Sequence, residues 1–66
     1  MCARLDAEDR VEAMEDVMDA MDPPRPIIKG SICTYLRRDS DGDFVLRYGG
    51  SQRVIFQHDF DAFSVL

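Results

Sequence analysis

Three aspartates alternate in the stretch DSDGD, and their side chains are of the type that holds a cation. Asp39, Asp41 and Asp43 offer the hard carboxylate oxygens that calcium binds. Counted from its first aspartate, an EF-hand loop has glycine at its sixth position and glutamate at its twelfth, where this chain has Phe44 and Gly50. Asp-Gly between two apolar runs is instead the strongest short-range signal of a β-hairpin. The sequence therefore predicts a turn here and no metal site.

Acid–base and nucleophilic chemistry has little support elsewhere in the sequence. His58 and Asp59 are adjacent, but neighbours on a strand point to opposite faces. Cys2 follows the first residue and Cys33 is expected to be a small packing residue, so neither is predicted to be a nucleophile or part of a disulfide framework. The sequence has no glycine-rich loop before a helix and no cluster of metal ligands. We therefore expect a protein that is not an enzyme, without catalytic residues or cofactors.

The negative charge of the chain is concentrated in its first third. The 66 residues include 13 acidic and 8 basic side chains, for a net charge of −5. Residues 1–22 hold eight acids and two arginines, a net charge of −6, whereas residues 23–66 hold six bases and five acids, a net charge of +1. Free nucleic acid and anionic membranes are therefore poor partners. No apolar run is long enough for a membrane span or a signal peptide, so a cytoplasmic protein is expected.

Apolar residues in the acidic third recur at the spacing of an amphipathic helix. They form one stripe: Ala3, Ala7, Val11, Met14, Val17, Met18 and Met21. Pro23, Pro24 and Pro26 would then end the helix. The opposite side would carry a band of carboxylates whose partner-binding candidates are Glu8, Glu12, Glu15, Asp16 and Asp19. Because like charges at i, i+4 each destabilise a helix by a few tenths of a kcal/mol, the band indicates a role outside the fold.

The rest of the chain predicts a three-stranded β-meander over roughly residues 27–38, 44–49 and 53–58. A three-residue loop over 40–42, with Gly42 in the left-handed position, and a second one over 50–52 would set the register. One face then becomes the expected core: Ile32, Leu36, Phe44, Leu46, Tyr48, Val54 and Phe56. The opposite, open face carries Cys33, Tyr35, Arg37, Val45, Arg47, Arg53, Ile55 and Gln57.

Together these elements predict an α+β fold in which one N-terminal amphipathic helix packs on a three-stranded antiparallel β-meander. The chain would be a single small domain, divided into the acidic helix (1–22), a proline-rich linker (23–26), the meander (27–58) and a C-terminal turn or short helix (59–66). Asp59 or Asp61 is expected to cap that last turn, with Phe60 and Phe63 returning to the core. The residues expected to be buried together are Met14, Met18, Leu36, Leu46 and Phe56.

The open sheet face is the second candidate surface, because arginine and tyrosine around a small apolar centre are typical of interface hot spots. Its residues are Tyr35, Arg37, Val45, Arg47, Arg53 and Ile55. A homo-oligomerising regulatory or antitoxin-like module, such as a homodimer, would use this face.

In size and charge, without a shared motif, the chain resembles phage-encoded inhibitors of host defence, anti-CRISPR and anti-restriction proteins among them. That resemblance implies a viral protein that mimics nucleic acid. Six carboxylates over about 16 Å of helix would also approach the spacing of about 3.4 Å per charge along one DNA strand. The leading hypothesis is therefore an inhibitor whose acidic helix occupies the cationic nucleic-acid-binding surface of a basic protein or nucleoprotein complex. Contact with free nucleic acid or a membrane is not expected.

Overall fold

Residues 5–66 are described by a computed structural model, which folds them into two antiparallel β-sheets. The strands are β1 (Arg10–Ala13), β2 (Val17–Met18), β3 (Pro26–Ile27), β4 (Ile32–Arg38), β5 (Phe44–Tyr48), β6 (Ser51–Ile55) and β7 (Phe63–Val65). Five of them form one sheet in the order β6-β5-β4-β1-β7, while β2 and β3 form a two-stranded ribbon. A 3-10 turn, Phe60–Ala62, lies between β6 and β7.

The predicted α+β fold class is wrong, because residues 5–66 contain no α-helix. The part of the acidic segment predicted as a helix that lies within the described residues forms β1, β2 and the bends around them. Residues 1–4 of the predicted helix lie outside the described part of the chain. None of the helical structure in residues 5–66 is long and apolar enough to cross a membrane.

Strand β1 follows a two-residue period that the helical reading of the sequence overlooked. Val11 and Ala13 are buried, with 0% and 1% of their surface exposed, and they alternate with Arg10 and Glu12. This alternation is the pattern of a strand with one face on the core. A tight turn precedes the strand, with Glu8 at a φ of 74°. The strand then pairs with β4 on one side and β7 on the other, which satisfies its backbone without a helix.

The β4–β5 hairpin has the three-residue loop that the sequence predicts. Arg38 pairs with Phe44, the Asp39 N–H donates to the Asp43 carbonyl at 2.9 Å, and Gly42 has a φ of +86°. Glycine adopts this left-handed conformation without the steric penalty that a Cβ brings.

A bulge in β4 then shifts the register away from the predicted one. Tyr35 pairs with Leu46 and Arg37 with Val45, so Leu36 is the additional residue on β4. The predicted pairing of Leu36 with Leu46 is therefore wrong.

The β5–β6 turn also differs from the predicted three-residue loop. Tyr48 pairs with Ser51 across a two-residue turn in which Gly49 and Gly50 have φ values of 60° and 83°. A hairpin turn of this type needs positive φ at both central residues, and two glycines supply it. The predicted loop would set Val54 opposite Tyr48, so the observed pairing with Ser51 shifts β6 by three residues. An odd shift exchanges the two faces of the strand relative to the prediction.

The observed core consequently mixes residues from both predicted faces. The buried cluster comprises Val11, Ala13, Val17, Ile27, Cys33, Tyr35, Leu46, Ile55 and Phe63. Of the five residues predicted to be buried together, Leu46 is fully buried and Leu36 is half-buried. The prediction is wrong for Met14, Met18 and Phe56, which are 51%, 51% and 43% exposed.

The C-terminal segment returns to the core as expected. Asp59 is the N-cap residue of the 3-10 turn, although its side chain makes no capping hydrogen bond. Phe63 is buried, and Phe60 stacks on Phe44 with ring centroids 3.8 Å apart. This aromatic pair fastens the turn to β5.

Candidate functional site

The five acidic residues predicted to form one band lie in different environments. Glu8 and Glu12 lie before and within β1, while Glu15 and Asp16 are exposed between β1 and β2. Asp19 is 3% exposed and lies beyond β2. The five residues therefore do not form a continuous band. The repulsion between like charges that an acidic helix would impose is not present in this segment.

Asp19 has a structural role. Its Oδ2 accepts a hydrogen bond from Arg53 Nη1 at 3.0 Å, and the exposed fractions of the two side chains are 0% for Asp19 and 12% for Arg53. Its Oδ1 accepts from the backbone N–H groups of Arg25 at 2.8 Å and Met21 at 3.2 Å. A buried charge is tolerated when it is paired and hydrogen-bonded in this way. Asp19 thus fastens the segment after β2 to β6 and is not available to a partner.

Two of the other acids make surface contacts. Glu8 pairs with Arg47 at 3.4 Å, with 69% and 49% of the two side chains exposed, so the pair contributes little stability. Asp16 Oδ1 accepts a hydrogen bond from the Lys29 backbone N–H at 2.7 Å. Since a carboxylate has further lone pairs, Asp16 can still face a partner.

An acidic groove lies between the β1–β2 segment and the C-terminal turn. Its volume is about 530 Å³, within the usual range of about 300–1,000 Å³ for ligand sites. The residues that line it are Glu15, Asp16, Val17, Met18, His58, Asp59, Asp61 and Ala62. At one point the two walls are joined by the Met14 N–H, which donates to the Ala62 carbonyl at 2.7 Å. We call this feature the acidic groove.

The side chains that line the acidic groove combine carboxylates with apolar surface. Four carboxylates line the groove, and in the described part of the chain, residues 5–66, neither a lysine nor an arginine does. His58 Nε2 lies 3.6 Å from the Asp59 carboxylate, and the His58 ring stacks on Phe56 with centroids 5.5 Å apart. Met18 contributes an exposed thioether. Such walls offer carboxylates to a positively charged group, and the Met18 thioether and the His58 ring to the carbon chain that carries it.

Sequence reasoning found half of this groove. Glu15 and Asp16 were candidates, but Asp59 and Asp61 were considered as caps, not as partner-binding residues. The two pairs are far apart in the sequence, and they meet because β7 pairs with β1. The acids that recur in HDFDAF were the available signal.

The second candidate surface is divided between the two faces of the sheet. Arg37 pairs with Val45, and Arg47 lies two residues after Val45 on β5. The three side chains therefore share the open face. Val45 is 2% exposed between the two exposed arginines.

The other three residues of that predicted surface lie on the core side. Tyr35 is 7% and Ile55 is 0% exposed, and Arg53 bonds Asp19. The bulge at Leu36 and the two-residue turn at 49–50 cause the division.

The three aspartates of DSDGD are brought close together by their loop. Ligand oxygens of Asp39, Asp41 and Asp43 lie within 4.8 Å of one another. Asp39 Oδ1 accepts from the N–H groups of Asp41 and Asp43, each at 2.9 Å, and Asp43 Oδ1 accepts from the Gln57 N–H at 3.2 Å. The bonds to Asp39 close the turn that the sequence predicts, while the bond to Asp43 joins this loop to the residues after β6.

Cys33 lies on the core side of β4 with 0% of its surface exposed. Burial raises the pKa of the Cys33 thiol, and the nearby Arg53 charge offsets this only in part. A buried, protonated thiol is a poor nucleophile.

In comparisons with known proteins, the chain gives no significant match to a family model, a curated protein or a solved structure.

Proposed function

We propose that this protein is a small non-enzymatic binding protein that occupies a cationic site on another protein through its acidic groove. The observation that carries this proposal is the concentration of Glu15, Asp16, Asp59 and Asp61 around one open groove, which no lysine or arginine among residues 5–66 lines. The proposed partner is the class expected from the sequence, a basic protein or nucleoprotein complex. The proposed binding site is the acidic groove and no longer a helix.

Electrostatics supports such a partner. A groove lined by charges of one sign focuses the field and accelerates encounter with a surface of the opposite sign. The net charge of −5 acts in the same direction at longer range and disfavours free nucleic acid. Occupying a cationic surface that otherwise binds phosphates would make the protein an inhibitor by competition. The cytoplasm is our proposed compartment, since the fold uses a free buried thiol at Cys33.

Neutralising the groove tests this proposal. The double variant E15Q/D61N removes two groove charges, and the control D6N/D41N removes two exposed charges that do not line the groove. Binding to a fluorescein-labelled deca-lysine peptide is measured by anisotropy at low and high salt. We expect E15Q/D61N to weaken binding at low salt by about two- to thirtyfold, since each of the two exposed charge pairs contributes about 0.2–1 kcal/mol. The control should change binding less than twofold. Equal losses in both variants would show that net charge alone attracts the probe and would reject the groove.

A second candidate function is self-association through the open sheet face. The observation in its favour is that two exposed arginines, Arg37 and Arg47, lie on that face on either side of the buried Val45. Sedimentation velocity at 5–100 µM should then show a dimer that R37E/R47E dissociates. A monomer at all these concentrations would remove this candidate.

A further inference from the structure

We infer that the acidic groove binds a basic amphipathic segment, in which lysine or arginine side chains alternate with apolar anchor residues. This inference rests on the proposed function and specifies the partner that the groove accepts.

The first observation is that apolar side chains accompany the carboxylates of the groove. Met18 lines it with 51% of its surface exposed, and Phe56, 43% exposed, stacks on the lining residue His58. Covering such exposed apolar surface with an apolar partner is favourable, because it removes that surface from water. Methionine is unbranched and polarisable, so it adapts to apolar partners of different shape.

The second observation is the arrangement of charge along the groove. Glu15 and Asp16 belong to the segment between β1 and β2, whereas Asp59 and Asp61 belong to the C-terminal turn, so the carboxylates come from both walls. A single chain lying in the groove could place cationic groups toward both walls and an apolar side chain on Met18. A purely cationic chain would leave the thioether uncovered.

The geometry disfavours a bare metal ion as the occupant. Among the described residues, the trio of carboxylates close enough to share an ion is Asp39, Asp41 and Asp43, which lies in the β4–β5 loop and not in the groove. The four groove carboxylates instead lie around an open groove whose volume is about 530 Å³. Dispersed charges suit several cationic side chains better than one ion.

Three synthetic 12-residue peptides test the inference. One carries six lysines and six leucines in an amphipathic pattern, the second replaces leucine by serine, and the third replaces lysine by glutamate. Affinities are measured by isothermal titration calorimetry at low and high salt. We expect the lysine–leucine peptide to bind at least tenfold more tightly than the lysine–serine peptide, and the glutamate–leucine peptide not to bind.

Matched variants locate the apolar contact. M18Q replaces an exposed methionine of the groove, while I28Q replaces an exposed apolar residue, 61% exposed, that does not line it. Circular dichroism melts confirm that both variants fold. M18Q should reduce affinity for the lysine–leucine peptide about fivefold and leave the lysine–serine peptide unaffected, and I28Q should change neither.

The outcomes separate the inference from the proposed function. If the lysine–serine peptide binds the wild type as tightly as the lysine–leucine peptide, and E15Q/D61N weakens both, the amphipathic segment is rejected and the cationic partner stands. If I28Q loses as much affinity as M18Q, the apolar contact is not in the groove and the inference is again overturned. If E15Q/D61N weakens neither lysine peptide, both the inference and the proposed function fail.

Discussion

The β4–β5–β6 meander and the segment before it are held by contacts of different range along the chain. The meander is held by hairpins whose turns contain the residues that determine them, such as Gly42 at a φ of +86°. Strands β1 and β2, of four and two residues, depend on partners that come later in the chain. Local chemistry therefore decides the first region, and tertiary contacts decide the second.

The largest effect is expected from a change that breaks a tertiary contact of the segment before the meander. D19A removes the partner of Arg53, which is 12% exposed, and leaves a nearly buried charge uncompensated. We expect a loss of about 3–5 kcal/mol in the free energy of unfolding, measured by urea denaturation followed by circular dichroism. E15A, at an exposed acid, should change stability by less than about 0.5 kcal/mol.

A double replacement, D19L/R53M, should recover part of the loss, because it removes both charges from the interior. The recovery should be incomplete, because the N–H groups of Arg25 and Met21 still lose the acceptor that Asp19 gives them. Equal stabilities of D19A and E15A would contradict the buried pair and restore the view of a solvated acidic surface.

Truncations within the same segment sharpen the comparison between strand and helix. V11A removes two fully buried methyl groups and should cost about 2 kcal/mol, at about 0.8 kcal/mol each plus a cavity. M18A acts on a side chain that is 51% exposed and should cost less than about 0.5 kcal/mol. Thermal and urea unfolding give both values. If the segment were a helix with a buried methionine stripe, M18A would instead lower the free energy of unfolding more than V11A does.

The meander should respond to changes in its turns. G42A forces alanine to a φ of +86°, although its Cβ would meet its nearest neighbour, Arg38 Nη2, at an ordinary 3.7 Å. Backbone strain alone should therefore cost about 1 kcal/mol. G42N should cost less, since asparagine tolerates the left-handed region. Urea denaturation that shows no difference between G42A and the wild type would contradict the local control of this hairpin.

The smallest effect concerns the junction of the two regions, where Cys33 of β4 pairs with Val11 of β1. Burial raises the pKa of the Cys33 thiol in the folded state, so the folded chain releases this proton less readily than the unfolded chain. This contribution to stability is complete below the ordinary thiol pKa of about 8.5 and declines as the pH rises above it. C33A should therefore show a weaker loss of stability than the wild type between pH 8.5 and 10, measured by urea denaturation. Identical pH profiles for C33A and the wild type would show that folding does not raise the pKa of the Cys33 thiol, which would contradict its burial.

The predictability of each element follows from where its determinants lie. The Ser40–Asp41–Gly42 loop was predictable because its residues prescribe it. The bulge at Leu36 was not, because it depends on how β4 meets both β1 and β5. In the acidic segment, Val11 and Ala13 fit a period of two, while a longer stripe of methionines fits a period near 3.6. The repulsion that a helix would have imposed was itself a signal against it.

The candidate site divides in the same way. Glu15 and Asp16 could be named from the sequence, but their meeting with Asp59 and Asp61 requires the pairing of β1 with β7. Asp19 looked equivalent to its acidic neighbours, and only the position of Arg53 distinguishes it.

The place of β1 in the sheet has a consequence for the order of assembly. Strand β7 has β1 as its neighbour in the sheet, and Ala13 pairs with Phe63 from the far end of the chain. Closing so long a loop is entropically costly, whereas the two hairpins of the meander close short ones. We therefore expect β4, β5 and β6 to form first on the folding pathway and the β1–β7 pair to form in a late step, so that the acidic groove is complete only when the whole sheet is.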